Sequence, residues 1–165
     1  MKDNVVLIGM MGCGKTTVGE LLAKRLGFAF VDTDQYIERA LGRTIPDVFA
    51  KEGEAFFRDW ELGASEELAR EKRQVIACGG GLPTRPDSIA SLKYSGTVLF
   101  LRRDPGEIYD SVSMAGRPLG QQGKAAFLER YAAREPIYLE WADHIVEVQP
   151  DPEQTVERAL EVLKG

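Results

Sequence analysis

The sequence has few of the residues that build disulfide or zinc scaffolds. Its 165 residues include only two cysteines and one histidine. Cys13 and Cys78 are isolated thiols rather than a disulfide framework, and His144 alone leaves no Cys/His cluster for zinc. Disulfide-stapled and zinc-structured domains are therefore excluded, and we interpret His144 as a structural residue.

Long apolar segments and basic tracts are missing as well. The apolar runs are far shorter than the roughly 20 residues that cross a bilayer, and no charged-then-apolar leader is apparent. The formal net charge is -5, and charged stretches such as residues 70–73 mix both signs. A nucleic-acid-binding surface would instead carry a basic tract. We expect a soluble, cytoplasmic protein that binds neither nucleic acid nor membrane.

What the chain does contain is a regular alternation of short apolar runs and longer segments of helical period. With 44% hydrophobic and 28% charged residues, it has the size and composition of one domain spanning residues 1–165. Helices are predicted at 15–26 and 152–163, and strands at 4–8, 28–31, 74–77, 97–101 and 144–148. Because the strands are apolar almost throughout, we expect them to be buried on both faces in a parallel, doubly wound α/β sheet.

The segment 112–124 breaks this alternation. It carries three glycines and one proline and shows little periodicity. We predict a long loop here, and loops of this length in compact domains often act as lids or binding elements.

A phosphate-binding loop is predicted directly after the first strand. Residues 9–16, GMMGCGKT, match the P-loop pattern and lie between a predicted strand and a predicted helix. Its glycines let backbone N–H groups and the helix N-terminus face phosphate oxygens. Lys15 is expected to bridge the terminal phosphates and the Thr16 hydroxyl to ligate magnesium. Cys13 fills a variable position, which favours a small tolerated side chain over a catalytic thiol.

Two carboxylates follow the second predicted strand. Asp32 and Asp34 lie two residues apart, so in an extended segment they would face one site at the ligand-binding edge of the sheet. Asp32 could hold magnesium or its waters, and Asp34 could accept a hydrogen bond from an attacking hydroxyl. The spacing equally allows Asp34 to be only the N-cap of a helix that begins at Gln35.

Several motifs, taken in order, resemble those of the shikimate kinase family. They are GMMGCGKTT at 9–17, VDTD at 31–34, GRTIPDVF at 42–49, GEAFFR at 53–58 with Glu61, GGG at 79–81, RPL at 117–119 and REPIY at 134–138. The P-loop is common to many families, whereas the combination is selective. The resemblance extends from about residue 5 to residue 148.

The resemblance implies an activity and a fold. The activity is Mg²⁺-dependent transfer of the ATP γ-phosphate to the 3-hydroxyl of shikimate, a step towards chorismate and the aromatic amino acids. The fold is a P-loop domain like that of nucleoside-monophosphate kinases, with a five-stranded parallel sheet flanked by helices. It has a substrate-binding helical segment at about 32–61 and a mobile lid at about 112–124. We expect a monomer.

The resemblance also implies site residues. The ATP-binding set is Gly12, Cys13, Gly14, Lys15, Thr16, Thr17 and the lid residue Arg117. The substrate-binding set is Asp34, Arg58, Gly79, Gly80, Gly81 and Arg134, in which the two arginines hold the shikimate carboxylate and Glu61 orients Arg58. Magnesium is assigned to Thr16 and Asp32, and catalysis to Lys15, Asp34 and Arg117.

Some of these residues have simpler interpretations. Arg58 could form only a helix pair with Glu61, and Arg134 could lie on a solvated face beside Glu135. Gly79 to Gly81 could form only a loose turn after a strand.

The chain also departs from the family pattern. Residues 110–116 lack the basic residues common in the first part of the lid, and Gly120 replaces the usual second leucine after RPL. Residues 149–153 take the place of the loop that closes over adenine. If the sheet order follows the family, Cys13 and Cys78 lie at the ends of neighbouring strands, where a regulatory disulfide is conceivable.

Other functions are compatible with a P-loop. A related kinase could act on gluconate or on a nucleoside monophosphate, although the VDTD, FR and GGG set argues against this. A P-loop switch without an acceptor is the alternative from another class, but the Asn-Lys-x-Asp guanine signature is missing. A degenerate relative would have lost some of the catalytic set, which is instead complete.

Overall fold

The computed structural model describes residues 2–114 and 123–165, and the side chains of residues 113 and 114 are left out. Its strands are β1 (Asn4–Ile8), β2 (Ala29–Asp32), β3 (Gln74–Ala77), β4 (Gly96–Arg102) and β5 (His144–Glu147). Its helices are α1 (Lys15–Leu26), α2 (Thr33–Leu41), α3 (Ile45–Glu52), α4 (Glu54–Ala69), α5 (Pro86–Ser95), α6 (Pro105–Met114), α7 (Gly123–Trp141) and α8 (Pro152–Lys164). A short 3₁₀ helix covers Leu82–Thr84.

The strands form one parallel sheet in the order β2-β3-β1-β4-β5. This arrangement confirms the predicted fold class. The expectation that every strand is buried on both faces holds for β1 and β3, all of whose residues are buried. It is wrong for β2 and β5, which are mostly half-buried or exposed. These two strands lie at the sheet edges, where each has a neighbour on one side only.

Alternating side chains of β1 enter two different cores. Val5 and Leu7 pack with residues of α1 and α8, whereas Val6 and Ile8 pack with residues of α5 and α7. This division follows from the two-residue period of a strand. Cys13 belongs to the first core and Cys78 to the second, and both are buried free thiols. Burial raises the pKa of Cys78, which makes this thiol a poor participant in a disulfide exchange.

The segment between β2 and β3 forms its own small core. Ile37 of α2, Val48 of α3, and Phe57 and Ala64 of α4 are buried together. α3 begins at Ile45 after the N-cap Thr44, whose hydroxyl accepts a hydrogen bond from the Asp47 N–H. This cluster holds the three helices beside the carboxyl edge of the sheet. The boundaries of a substrate-binding segment at 32–61 remain a prediction.

The predicted loop at 112–124 is too long at both ends. α6 continues to Met114 and α7 begins at Gly123. The reason at the first end is packing: Val112 is 8% exposed and joins Ile108, one turn earlier, in the first core. Residues 115–122, which include Arg117 and Gly120 of the predicted lid, lie outside the described residues. Within the described ranges, no helix is long and apolar enough to span a membrane.

Candidate active site

The loop after β1 forms an anion-binding turn. Gly12 and Gly14 have φ values of 81° and 101°, in the left-handed region that glycine adopts without strain. Gly14 is the N-cap of α1, and no side chain caps this helix. The first N–H groups of α1 therefore remain available at a pocket of about 260 Å³, which Gly12, Gly14, Lys15, Thr16 and Thr17 line on one side. This geometry is that of a phosphate site.

Lys15 is held inside the same loop. Its Nζ donates to the carbonyl oxygens of Gly9, at 2.6 Å, and Met10, at 3.0 Å. The side chain is only 9% exposed. These contacts fix a positive charge at the wall of the pocket, where it can attract a phosphate.

Asp32 and Thr16 provide adjacent oxygen atoms at the floor of this pocket. Asp32 Oδ1 accepts the N–H groups of Asp34, at 2.9 Å, and Gln35, at 3.2 Å, so Asp32 is the N-cap of α2. Its other oxygen, Oδ2, lies 3.3 Å from Thr16 Oγ1. Among the described residues, no group of three or more acidic, histidine or cysteine side chains is arranged to hold a metal ion. One carboxylate and one hydroxyl nevertheless fit Mg²⁺, which takes few protein ligands when phosphates and waters complete its shell.

Asp34 is the second acidic residue of the pocket, but its backbone differs from the expectation. It lies within the first turn of α2 rather than in an extended segment, and it is not the N-cap. The interpretation of Asp34 as a capping residue is therefore wrong. Its carboxylate still lines the same pocket as Asp32 and Lys15. Burial, together with the charge of Asp32, raises the pKa of Asp34 to about 6, although the charge of Lys15 acts in the opposite direction.

A second pocket of about 190 Å³ adjoins the first on the side of α4 and α7. The two share four lining residues, Met11, Asp34, Gly79 and Gly80. The second pocket is also lined by Ile45, Phe49, Phe57, Arg58, Glu61, Gly81, Arg130 and Arg134. Asp34 therefore stands between a phosphate pocket and a pocket that contains three arginines.

Arg58 lies in this second pocket as part of an ion-pair network. Its Nη1 is 2.6 Å from Glu61 Oε1, and its Nη2 is 3.3 Å from Glu54 Oε2. The predicted helix pair with Glu61 is thus present, and it orients the guanidinium towards the pocket rather than away from it. Glu61 is 1% exposed and its Oε2 makes no hydrogen bond within the described residues. Burial raises the pKa of Glu61 to about 7, although Arg58 lowers it.

The glycines after β3 form the common wall of the two pockets. The Gly79 N–H donates to Thr33 Oγ1 at 2.9 Å, and the Gly80 carbonyl accepts the Tyr138 hydroxyl at 2.6 Å. A Cβ on Gly79 would lie 2.5 Å from Asp34 Oδ1, and one on Gly81 would overlap Arg58 Nη2. These glycines therefore do more than form a turn, because the side chains of Asp34 and Arg58 pack directly on Gly79 and Gly81.

Arg134 approaches the same wall from α7. Its Nη1 lies 3.4 Å from the position that a Cβ of Gly80 would occupy. Arg134 is half-buried, and the neighbouring Glu135 accepts the Tyr131 hydroxyl at 2.6 Å. Arg134 therefore lies in the second pocket, and the interpretation as a solvated arginine beside Glu135 does not describe it.

A third pocket, of about 300 Å³, lies on the other side of the P-loop. Cys13, Gly14, Thr17 and Val18 line it together with Gln149, Pro150, Pro152 and Thr155. The segment expected to take the place of an adenine loop is therefore next to the phosphate site. Arg103 also lines this pocket, and its Nη2 donates to Ser111 Oγ at 2.8 Å.

Three polar residues at these pockets had no predicted role. Arg130 and Arg103 line pockets directly, whereas Tyr138 is buried and contacts the pocket wall through the Gly80 carbonyl. Arg130, Arg134 and Tyr138 are spaced by four residues, so a helical period would have placed them on one face of α7. Arg103 follows β4 at the carboxyl edge of the sheet, where ligands of such folds bind.

The fold and these pockets can be compared with known proteins. The family model described as shikimate kinase matches residues 11–164. The chain belongs to the shikimate kinase family. The curated shikimate kinase of Clostridium beijerinckii is 37% identical over 163 residues, which cover 99% of this chain and 96% of that protein.

Solved structures agree with this membership. A shikimate kinase from Acinetobacter baumannii, in complex with shikimate, has a TM-score of 0.91 at 34% identity and covers 99% of this chain and 94% of its own. A gluconokinase from Sinorhizobium meliloti has a TM-score of 0.59 at 19% identity, with coverage of 98% and 92%, which shows a common fold alone. Members of the shikimate kinase family are ATP-dependent kinases that use Mg²⁺, so this chain is an ATP-dependent kinase with a P-loop fold.

Proposed function

We propose that this member of the shikimate kinase family transfers the γ-phosphate of ATP to the 3-hydroxyl of shikimate and releases ADP and shikimate 3-phosphate. The observation that carries the proposal is the position of Asp34, which lines both the phosphate pocket and the pocket of arginines. An enzyme that transfers a phosphate between two molecules must bind them side by side, and Asp34 lies where the two pockets meet.

The donor half of the site is the P-loop. Backbone N–H groups of residues 12–17 bind the phosphates of ATP, and Lys15 contacts the terminal ones. Thr16 and Asp32 hold Mg²⁺, which neutralises charge on the phosphates when it is bound. Arg117, outside the described residues, is assigned to the transferring phosphate on the family pattern. The adenine side of ATP takes the pocket between Cys13 and Pro152, which is continuous with the P-loop.

The acceptor half binds a small carboxylate that bears hydroxyl groups. Arg58 and Arg134 supply guanidinium groups, which bind carboxylates with good geometry. The buried Glu61 holds Arg58 in place through their 2.6 Å contact. Phe49 and Phe57 provide an apolar wall for the ring. A pocket with several arginines, the carboxylate of Asp34 and an apolar wall fits shikimate better than it fits a neutral sugar.

Asp34 orients the attacking hydroxyl. With a pKa of about 6, it is mainly ionised near neutral pH and can accept the hydroxyl proton. The hydroxyl oxygen then forms a bond to the γ-phosphorus while the bond to the β–γ bridging oxygen breaks, and ADP leaves. The proton ends on Asp34. Positioning and charge stabilisation supply most of the rate enhancement in such a transfer.

A direct test offers alternative acceptors to the purified protein. ADP release is measured in a coupled assay with ATP and Mg²⁺, and shikimate, gluconate and AMP are supplied separately. We expect turnover with shikimate, only background rates with the other two acceptors, and loss of most turnover in Lys15→Ala. Turnover with AMP alone, or an equal rate without any acceptor, would contradict the proposal and favour another kinase or a P-loop ATPase.

A further inference from the structure

Helix α7 carries two arginines into the acceptor pocket, one helical turn apart. Arg134 belongs to the expected substrate-binding set, whereas Arg130 has no role assigned to it. Both side chains line the same pocket as Arg58, Glu61 and Asp34. Residues four apart lie on the same face of a helix, so the two guanidinium groups are neighbours.

The direction of α7 places Arg130 nearer to the pocket mouth. α7 ends at Trp141, and β5 begins at His144 in a parallel sheet whose carboxyl edge carries the site. The C-terminal end of α7 is therefore near the opposite edge, and earlier residues of α7 lie farther out. Four residues of helix correspond to about 6 Å. Arg130, whose side chain is exposed, thus lies about one turn beyond Arg134, on the side from which a ligand enters.

The charges of the three pocket arginines are not equally compensated. Arg58 is paired with Glu61 and Glu54. Within residues 2–114 and 123–165, neither Arg130 nor Arg134 forms an ion pair. The remaining stretch 115–122 contains no aspartate or glutamate that could pair with them.

Two like charges at this spacing destabilise a helix by a few tenths of a kcal/mol. An anion bound between the two arginines removes that repulsion, so α7 itself favours an anionic ligand. Arg130 also changes the charge of the pocket wall. Three arginines, including Arg130, line the pocket together with the two carboxylates of Asp34 and Glu61. Without Arg130, the positive and negative charges of the pocket wall would be equal in number.

We propose that Arg130 is a specificity-determining residue, which raises the affinity of the pocket for an acceptor with a carboxylate by acting at the mouth beside Arg134. This inference rests on the proposed function, because it assumes that the acceptor binds in this pocket. Arg130 lines the acceptor pocket and not the phosphate pocket. It therefore acts on acceptor binding and leaves the chemical step and ATP binding unchanged.

The test compares steady-state constants of Arg130→Gln with those of the unmodified protein. We expect the KM for shikimate to rise about three- to fivefold, as for the loss of a partly exposed ion pair. kcat and the KM for ATP should stay the same. Arg130→Lys, which keeps the charge, should recover most of the affinity. Because the contact is exposed, the difference should shrink when the salt concentration is raised to about 0.5 M.

A matched control separates a local effect from a change in net charge. Arg158 is exposed on α8, which packs against α1 and does not line the acceptor pocket. Arg158→Gln changes the net charge by the same amount and should leave the KM for shikimate unchanged. Thermal unfolding of each variant checks that the fold is intact.

Two outcomes would overturn the inference. One is an Arg130→Gln variant whose KM for shikimate matches that of Arg158→Gln. The other is a fall in kcat, or a rise in the KM for ATP, as large as the change in the KM for shikimate. Either result would assign Arg130 to catalysis or to the fold. Neither affects the proposed function, which fails only if the unmodified protein does not turn over shikimate.

Discussion

Gly79 is the position where a single methyl group should disable the enzyme without disturbing nucleotide binding. Its Cβ, if present, would lie 2.5 Å from Asp34 Oδ1 and 3.1 Å from Asp34 Cγ. Gly79 is not among the described glycines with positive φ, so its backbone tolerates alanine. The effect of Gly79→Ala is therefore a steric displacement of Asp34 rather than a strained backbone.

The size of that displacement follows from the contact distances. Ordinary van der Waals contact for a Cβ begins at 3.4 Å, so the carboxylate must move by about 0.9 Å, the difference between 3.4 and 2.5 Å. The loop cannot easily move instead, because the Gly79 N–H is bound to Thr33 Oγ1 at 2.9 Å. A misplacement of about 1 Å in a reacting group costs about 100-fold in rate. We expect kcat to fall by about that factor.

The assay measures ADP release with shikimate, and nucleotide binding is measured separately by calorimetry. ATP affinity should remain within about twofold, because the P-loop is not displaced. Gly63→Ala is the matched control: Gly63 lies inside α4, and a Cβ there would meet nothing within 4 Å. Alanine is favoured over glycine within a helix by about 1 kcal/mol, so this control should be fully active and slightly more stable.

A kcat for Gly79→Ala within about threefold of the unmodified value would refute the reasoning. It would mean either that Asp34 does not need its present position or that the hydroxyl is activated by another group. Loss of ATP binding in the same variant would show instead that the common wall of the two pockets has collapsed.

Two further predictions concern pH and packing. Because burial raises the pKa of Asp34 from 3.8 to about 6, its ionised form destabilises the fold by the full amount above about pH 6. This cost decreases as the pH falls below that value and is gone below the unfolded pKa of 3.8. In urea titrations at pH 8, the free energy of unfolding of Asp34→Asn should therefore exceed that of the unmodified protein by up to about 3 kcal/mol. This difference should shrink towards pH 5. Phosphoryl transfer by this variant should be lost while ATP binding is retained; a constant stability difference across pH would contradict the assignment. Gly19→Ala places a Cβ 2.5 Å from the Phe30 ring. The cost of this overpacking should exceed the gain from replacing glycine by alanine in a helix, so the free energy of unfolding should fall by about 1 kcal/mol. kcat should not change. An unchanged thermal midpoint would show that Phe30 moves freely.

The sheet and the P-loop were predictable from the sequence because their signals are local. β1, β3 and α1 have the predicted limits, since apolar runs and glycines mark them directly. The edge strands differ because burial depends on position in the sheet, which periodicity does not reveal. The loop at 112–124 was overestimated because Val112 continues the stripe of Ile108, a tertiary contact that outweighs the nearby glycine and proline signals.

The structure brings the described members of the predicted site together in adjoining pockets, but their arrangement was less predictable from the sequence. The roles of Arg58 and Arg134 depended on a family resemblance, because a lone arginine in a helix has many possible partners. The sequence offered Asp34 as a possible N-cap, whereas Asp32 takes that position through Oδ1 and presents Oδ2 to Thr16. Choosing between two acidic residues this close requires the backbone geometry. The comparisons show the family of the chain, whereas the role of each site residue remains a prediction until the variants are measured.

In the proposed mechanism, Lys15 couples the binding of the phosphate donor to the protonation of Asp34. Its charge lowers the pKa of Asp34, and the proposed function assigns the same ammonium group to the phosphates of ATP. A bound phosphate compensates that charge, so the carboxylate of Asp34 becomes more basic when the donor is bound. By the reciprocity of linked equilibria, a protonated Asp34 then strengthens nucleotide binding to the same degree. The proton acceptor is thus weakest in the free enzyme and becomes stronger once a phosphate is ready to be transferred.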